Sequence, residues 1–159
     1  MGIVKMINNE ENTQKEELED ITGVTCVYVP VRDVYSSVQW YQKNLGCLPT
    51  KHNPVEPGME KAIMRFPDHH GYFADAGLRQ LVPALILIAV KHSAEILGFT
   101  LDNGARHPVL CFITPRIYEI YDRFKENGVN ILTDMSNIKP GGPYLSFTDP
   151  DGNLFAIWQ

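Results

Sequence analysis

Three cysteines, Cys26, Cys47 and Cys111, are all that the 159 residues hold, and no two of them form a C-x-x-C. So sparse and odd a set argues against a disulfide framework or a structural zinc site, and points to free thiols in a reducing, cytoplasmic setting. No apolar run reaches the roughly 18 residues of a membrane span, and the first twenty residues lack the apolar core of a signal peptide. A basic excess is missing too. The net charge is −5, of which −4 falls in residues 1–20; the rest of the chain carries 13 acids and 12 bases. A body so nearly neutral has no basic stripe, so neither nucleic acid nor a membrane is expected as a partner.

Residues 1–20, "MGIVKMINNEENTQKEELED", are polar and acidic and read as a flexible tail. From Val24 the pattern changes. "VTCVYVPV" is a strand by its β-branched and aromatic content. Asp33 then stands where an N-cap belongs, Val34, Val38, Tyr41 and Leu45 recur at helical spacing, and Gly46 is a stop signal. The order repeats some 85 residues later. "PVLCFI" is a strand, Thr114 and Pro115 read as cap and first helical residue, Ile117, Ile120, Tyr121 and Phe124 form an apolar face, and Gly128 ends the helix. Short strand-like runs follow each helix, then an F-x-D-x-x-G turn ("FPDHHG", "FTDPDG") and a closing apolar strand ("ALILIAV", "NLFAIW"). The expected fold class is α+β: two βαβββ modules, residues 21–91 and 107–159, joined by a linker at 92–106 into one domain. One helix cannot cover both faces of its sheet, so the modules are expected to curve a mixed sheet around a cavity.

The stretch "VYVPVRDVYSSVQWYQKNLG" and the ending "FTDPDGNLFAIWQ" resemble the opening helix and closing hairpin of the glyoxalase, bleomycin-resistance and extradiol-dioxygenase (vicinal oxygen chelate) superfamily. The resemblance covers about residues 22–159. It implies paired modules around a pocket, and, in the enzymes, one divalent metal held by His on the first strand of a module and Glu on the last. Carried over residue by residue, those positions fall on Cys26, Ala89, Val109 and Ala156. Ala and Val have no lone pair to offer, and one thiol cannot hold a metal alone. No cofactor is therefore expected. The chain reads as a binder of a small, mostly apolar molecule, for sequestration or sensing, and as a homodimer, as family members commonly are.

The expected pocket residues are Cys26, Tyr28, Arg65, Leu87, Ala89, Val109, Cys111, Leu154, Ala156 and Trp158. Tyr28 and Trp158 offer aromatic walls with one polar atom each; packing in the core is the competing reading. Arg65, inside the apolar run "AIMRF", either binds an anion or projects from a sheet edge. Cys26 and Cys111 read first as small packing residues. No catalytic residue is assigned. The alternative is a metal-dependent lyase, isomerase or dioxygenase with a relocated site drawn from His52, His69, His70 or Cys26, with metal-free catalysis by Tyr28 or Arg65 as a third reading.

Overall fold

Asp33 opens the first helix by the mechanism its position predicts. Its backbone is extended (φ −136°, ψ 108°) and its carboxylate accepts the Ser36 N–H at 3.0 Å, a cap worth about 1 kcal/mol. In the computed structural model, which describes residues 21, 23–52, 54–68, 70–73, 82–91, 96–136 and 140–159, β1 (Cys26–Val31) leads into α1 (Val34–Leu45). The helix buries Val34, Ser37, Val38, Tyr41 and Asn44, a stripe at three- and four-residue spacing, and ends on Gly46 in the left-handed region (φ 71°). Next come β2 (Leu48–Pro49), β3 (Lys61–Arg65) and β4 (Ala84–Ala89), and the sheet order is β1-β4-β3-β2, with β1 and β4 parallel. A small hairpin, β5 (Phe99–Thr100) and β6 (Arg106–His107), occupies the connection.

The second module repeats the plan: β7 (Leu110–Ile113), α2 (Ile117–Glu126), β8 (Asn130–Ile131), β9 (Tyr144–Thr148) and β10 (Leu154–Trp158), in the order β7-β10-β9-β8 with β7 and β10 parallel. The chain is thus α+β, with two four-stranded mixed sheets that are separate in their backbone hydrogen bonding. One detail departs from expectation. Helix α2 begins at Ile117 rather than at Pro115, and the Thr114 hydroxyl accepts the Arg116 N–H, ahead of the helix. The Ile117 N–H is instead satisfied by Gln159 Oε1 at 3.0 Å, from the far end of the chain.

Both helices and one face of each sheet share a single core. Val29, Val31, Met64, Leu85 and Leu87 of the first sheet pack in the same cluster as Leu145, Phe147, Phe155 and Ile157 of the second. Aromatic contacts cross the junction: Phe66 with Phe112 at 5.4 Å, Tyr41 with Phe155 at 6.2 Å, and Trp40 with Phe147 at 6.4 Å between centroids. Two expected pocket residues stand on the core side of β4, one buried and one exposed. Leu87 is fully buried in this core, paired with Val29, and Ala89 pairs with Val31 on the same face. Strand β4 therefore runs in the opposite phase to the expected one, and Ile86 and Ile88 take the other face.

The D-P-D-G-N turn holds the modules together. The Asp149 carboxylate accepts from Tyr41 Oη at 2.7 Å, Asn153 Nδ2 at 2.7 Å, and the Asp151 and Asn153 N–H groups at 2.9 Å each. Asn153 in turn donates to Pro30 O at 2.8 Å and accepts from Leu97 N–H at 2.8 Å. Two buried side chains, Asp149 and Asn153, thus join helix α1, strand β1, the connection and the second module.

Candidate functional site

Each sheet has an outer face, turned away from the shared core, and the strand alternation decides which residues occupy it. On the first sheet Cys26, Tyr28 and Pro30 of β1 stand in register with Ala84, Ile86 and Ile88 of β4, and the latter two with Ile63 and Lys61 of β3. Arg65 shares this face. On the second sheet Val109, Cys111 and Ile113 share a face with Leu154, Ala156 and Trp158, and across β10 with Thr148, Ser146 and Tyr144. These faces expose unusually large apolar groups: Tyr28 is 58% exposed, Val109 56%, Ile113 81% and Trp158 47%.

Trp158 is held edge-on. Its indole N–H donates to Gly141 O at 2.8 Å, and Gly142, at φ 105°, lies so close that a Cβ would meet Trp158 Nε1 at 3.3 Å. The ring is pinned at its polar edge while its body stays partly uncovered, a wall suited to a flat apolar partner. Beside it, Thr133 Oγ1 and Ser146 Oγ lie 2.6 Å apart, and Thr133 Oγ1 also accepts the Ser146 N–H at 2.7 Å. Tyr144, Ser146 and Thr133 are site candidates that the sequence reading missed; the alternation of β9 against Trp158 was the signal for the first two. Ala156 and Leu154 sit on this face but are buried, so they form its floor and not its rim.

Electrostatics favour the protonated forms of Tyr28, Tyr144 and Cys111. Tyr28 is raised above the ordinary phenol value, chiefly by its hydrogen bond to Cys26 and then by that thiol's charge. Tyr144 is raised by burial and by Cys111, and Cys111 itself by burial. For Cys111, burial is the cause of the shift, and no neighbouring cation among the described residues opposes it. Tyr28, Tyr144 and Cys111 are therefore hydrogen-bond donors on these faces. Cys47, fully buried with its thiol against Tyr41 O, is pushed up to about 12 by desolvation. In native protein at pH 8, Cys47 should stay unmodified by iodoacetamide while exposed Cys111 is labelled, as read by peptide mass spectrometry. Equal labelling of the two would contradict the burial of Cys47.

Among the described residues, those at the positions the family resemblance points to do not fit a divalent metal. The positions that the family resemblance points to hold Cys26, Val109 and Ala156, and the outer-face residues of β4 are Ile86 and Ile88, which offer no donor either. Among the described residues, no three His, Cys, Asp or Glu side chains lie together as a metal site would require. His107 stacks on Phe99 at 4.9 Å, with Nδ1 against Pro108 O. His70 belongs to a turn in which its N–H bonds Asp68. His69, His92 and residues 1–20 lie outside the described residues.

A concavity of about 460 Å³ is lined by Arg32, Asp33, Ser36, Ser37, Trp40, Pro150 and Asp151, away from the two outer faces. Its charges already have work inside the fold. Arg32 pairs with Asp151 at 2.6 Å and Asp33 caps α1, which makes this groove a junction between modules.

Comparison with known proteins agrees with the architecture. Residues 23–157 match the family model described as Glyoxalase/Bleomycin resistance protein/Dioxygenase superfamily. A search of curated proteins found no match. Solved structures share the fold: TnmS3, an antibiotic binding protein from Streptomyces sp. CB03234, is 20% identical with a TM-score of 0.54, covering 87% of this chain and 96% of its own. A member of the same superfamily from Sphaerobacter thermophilus DSM 20745 is 22% identical with a TM-score of 0.56, over 87% and 97% of the two chains. The fosfomycin resistance protein FosX from Listeria monocytogenes, complexed with Mn(II) and sulfate, is 13% identical with a TM-score of 0.56, over 87% and 90%.

Proposed function

This chain belongs to the Glyoxalase/Bleomycin resistance protein/Dioxygenase superfamily, and on that premise we propose that it binds a small, mostly apolar molecule on its outer sheet faces without a divalent metal. The fold hosts both an antibiotic binding protein and a Mn(II)-containing resistance protein, so the donors present must decide between the two uses. The observation that carries the reading is the outer face itself: exposed aromatic walls at Tyr28 and Trp158, and no donor set where the family's metal would sit. Sequestration or sensing is the proposed outcome, in a reducing compartment such as the cytoplasm.

The proposed assembly is a homodimer. Tyr28 and Trp158 belong to separate sheets whose helix sides are already spent on the shared core. A second copy supplies what a single chain lacks, a facing wall for each exposed surface, and burying Ile113 and Val109 would favour it by roughly 1.5–3 kcal/mol each. The test is a titration with the neutral fluorophore N-phenylnaphthylamine. Saturable binding at micromolar concentration is expected, weakened about tenfold in Trp158→Ala, a loss in keeping with the stacking energy of one aromatic wall. Fluorescence that rises linearly without saturation would count against the site.

A further inference from the structure

We infer that the molecule taken up is a small aromatic acid, its ring held on the apolar outer face and its anionic group by Arg65. This rests on the binding reading above. Among the described strand positions of the two outer faces, the charged side chains are Lys61 and Arg65, both on β3, and no acid accompanies them. Neither makes an ion pair among the described residues: Arg32 pairs with Asp151, Arg116 with Glu119 and Lys125 with Asp122. The chain as a whole is acidic, at −5. Cations left unmatched on a face otherwise apolar favour a ligand carrying negative charge and disfavour a cationic one.

Position separates the two cations. Arg65 is half-buried and stands in register with Leu48 of β2. Continuing the β3–β4 register by one residue from Met64–Leu85 places it beside Ala84, whose partner on the other side is Cys26. Ala84 and Ile86 are buried, so the outer face beside Arg65 has an apolar floor. A planar fork in partly desolvated surroundings is the group best matched to a carboxylate, which it can take through two parallel hydrogen bonds. Lys61 is exposed and four residues along the strand, about 13 Å away, beyond the roughly 8 Å over which salt at physiological strength leaves a charge effective. The selectivity therefore rests on Arg65.

A matched pair of fluorophores tests this: neutral N-phenylnaphthylamine, and anilinonaphthalene sulfonate, which carries the same rings plus one anionic group. Wild-type protein is expected to bind the sulfonate about tenfold more tightly, the scale of one charge-assisted contact. Arg65→Gln should abolish that preference, read as the ratio of the two probes' Kd values, and Lys61→Gln should leave the ratio in place. Saturable binding of the neutral probe with no sulfonate preference, or a preference that survives Arg65→Gln, overturns the anion inference and leaves the binding site standing. If neither probe binds, both readings fall.

Discussion

Asp149→Ala is expected to lower the free energy of unfolding by about 3–5 kcal/mol, because it strands several buried donors at once. Asp149 is 3% exposed and accepts four hydrogen bonds, two from side chains and two from backbone. Each donor left buried without a partner costs about 1–3 kcal/mol, and water entering the vacated space recovers part of the total. For a chain of this length the melting temperature should fall by roughly 10 °C. Tyr41→Phe removes one bond and should cost about 1 kcal/mol. The double variant should be little worse than Asp149→Ala alone, since Tyr41 Oη donates to Asp149. Urea unfolding of the four proteins gives the cycle directly; additive losses would show that the two residues act separately.

Acid should not imitate this loss. Burial raises the Asp149 carboxyl above its ordinary value, against the pull of its hydrogen bonds. A carboxyl raised in the fold binds its proton more tightly there than in the unfolded chain. The stability linked to that proton is fully present below the unfolded value and declines as pH rises through the folded one. Acid unfolding, where it occurs, must come from other carboxylates.

The second large effect is expected at Ala156. Ala156→Glu restores the residue type that the family's metalloenzymes carry there, and it should cost about 3 kcal/mol or more without creating metal affinity. The alanine has no exposed surface and stands between Cys111 and Ser146. A longer side chain overpacks that floor. Its carboxyl must lose its hydration with no cation on the face, or stay protonated. Even if ionised it would find one thiol, Cys111, in register beside it, and Val109 just before the start of β7. A metal needs three or four convergent donors. Thermal denaturation with and without Mn²⁺ reads both effects. Near-wild-type stability together with a rise of several degrees on adding Mn²⁺ would mean that a metal geometry survives and lacks a single ligand.

How far the sequence could be read depended on how local each determinant is. The cap at Asp33 and the stop at Gly46 are neighbours of the helix they bound, and α1 lies where those signals place it. In β10 the turn at Asp149–Gly152 fixes the hairpin, so Leu154, Ala156 and Trp158 share the face assigned to them. Strand β4 offered no such anchor. "ALILIAV" has no polar residue and hence no alternation to set its phase. The assignment slipped by one: Leu87 is buried in the core, Ala89 follows on that side at the exposed end of the strand, and Ile86 and Ile88 take the outer face. What lay beyond the sequence was long-range. The Gln159 side chain satisfies α2 across 42 residues, and Tyr41 meets Asp149 across 108. No spacing rule reaches that far.

The central claim is binding without a metal, and one titration addresses it most directly: N-phenylnaphthylamine into protein stripped with a chelator, then into the same protein supplied with Mn²⁺. The account predicts the same Kd and the same saturating signal in both. Binding that vanishes on stripping and returns with Mn²⁺ would contradict it, and would send the search to donors outside the outer faces.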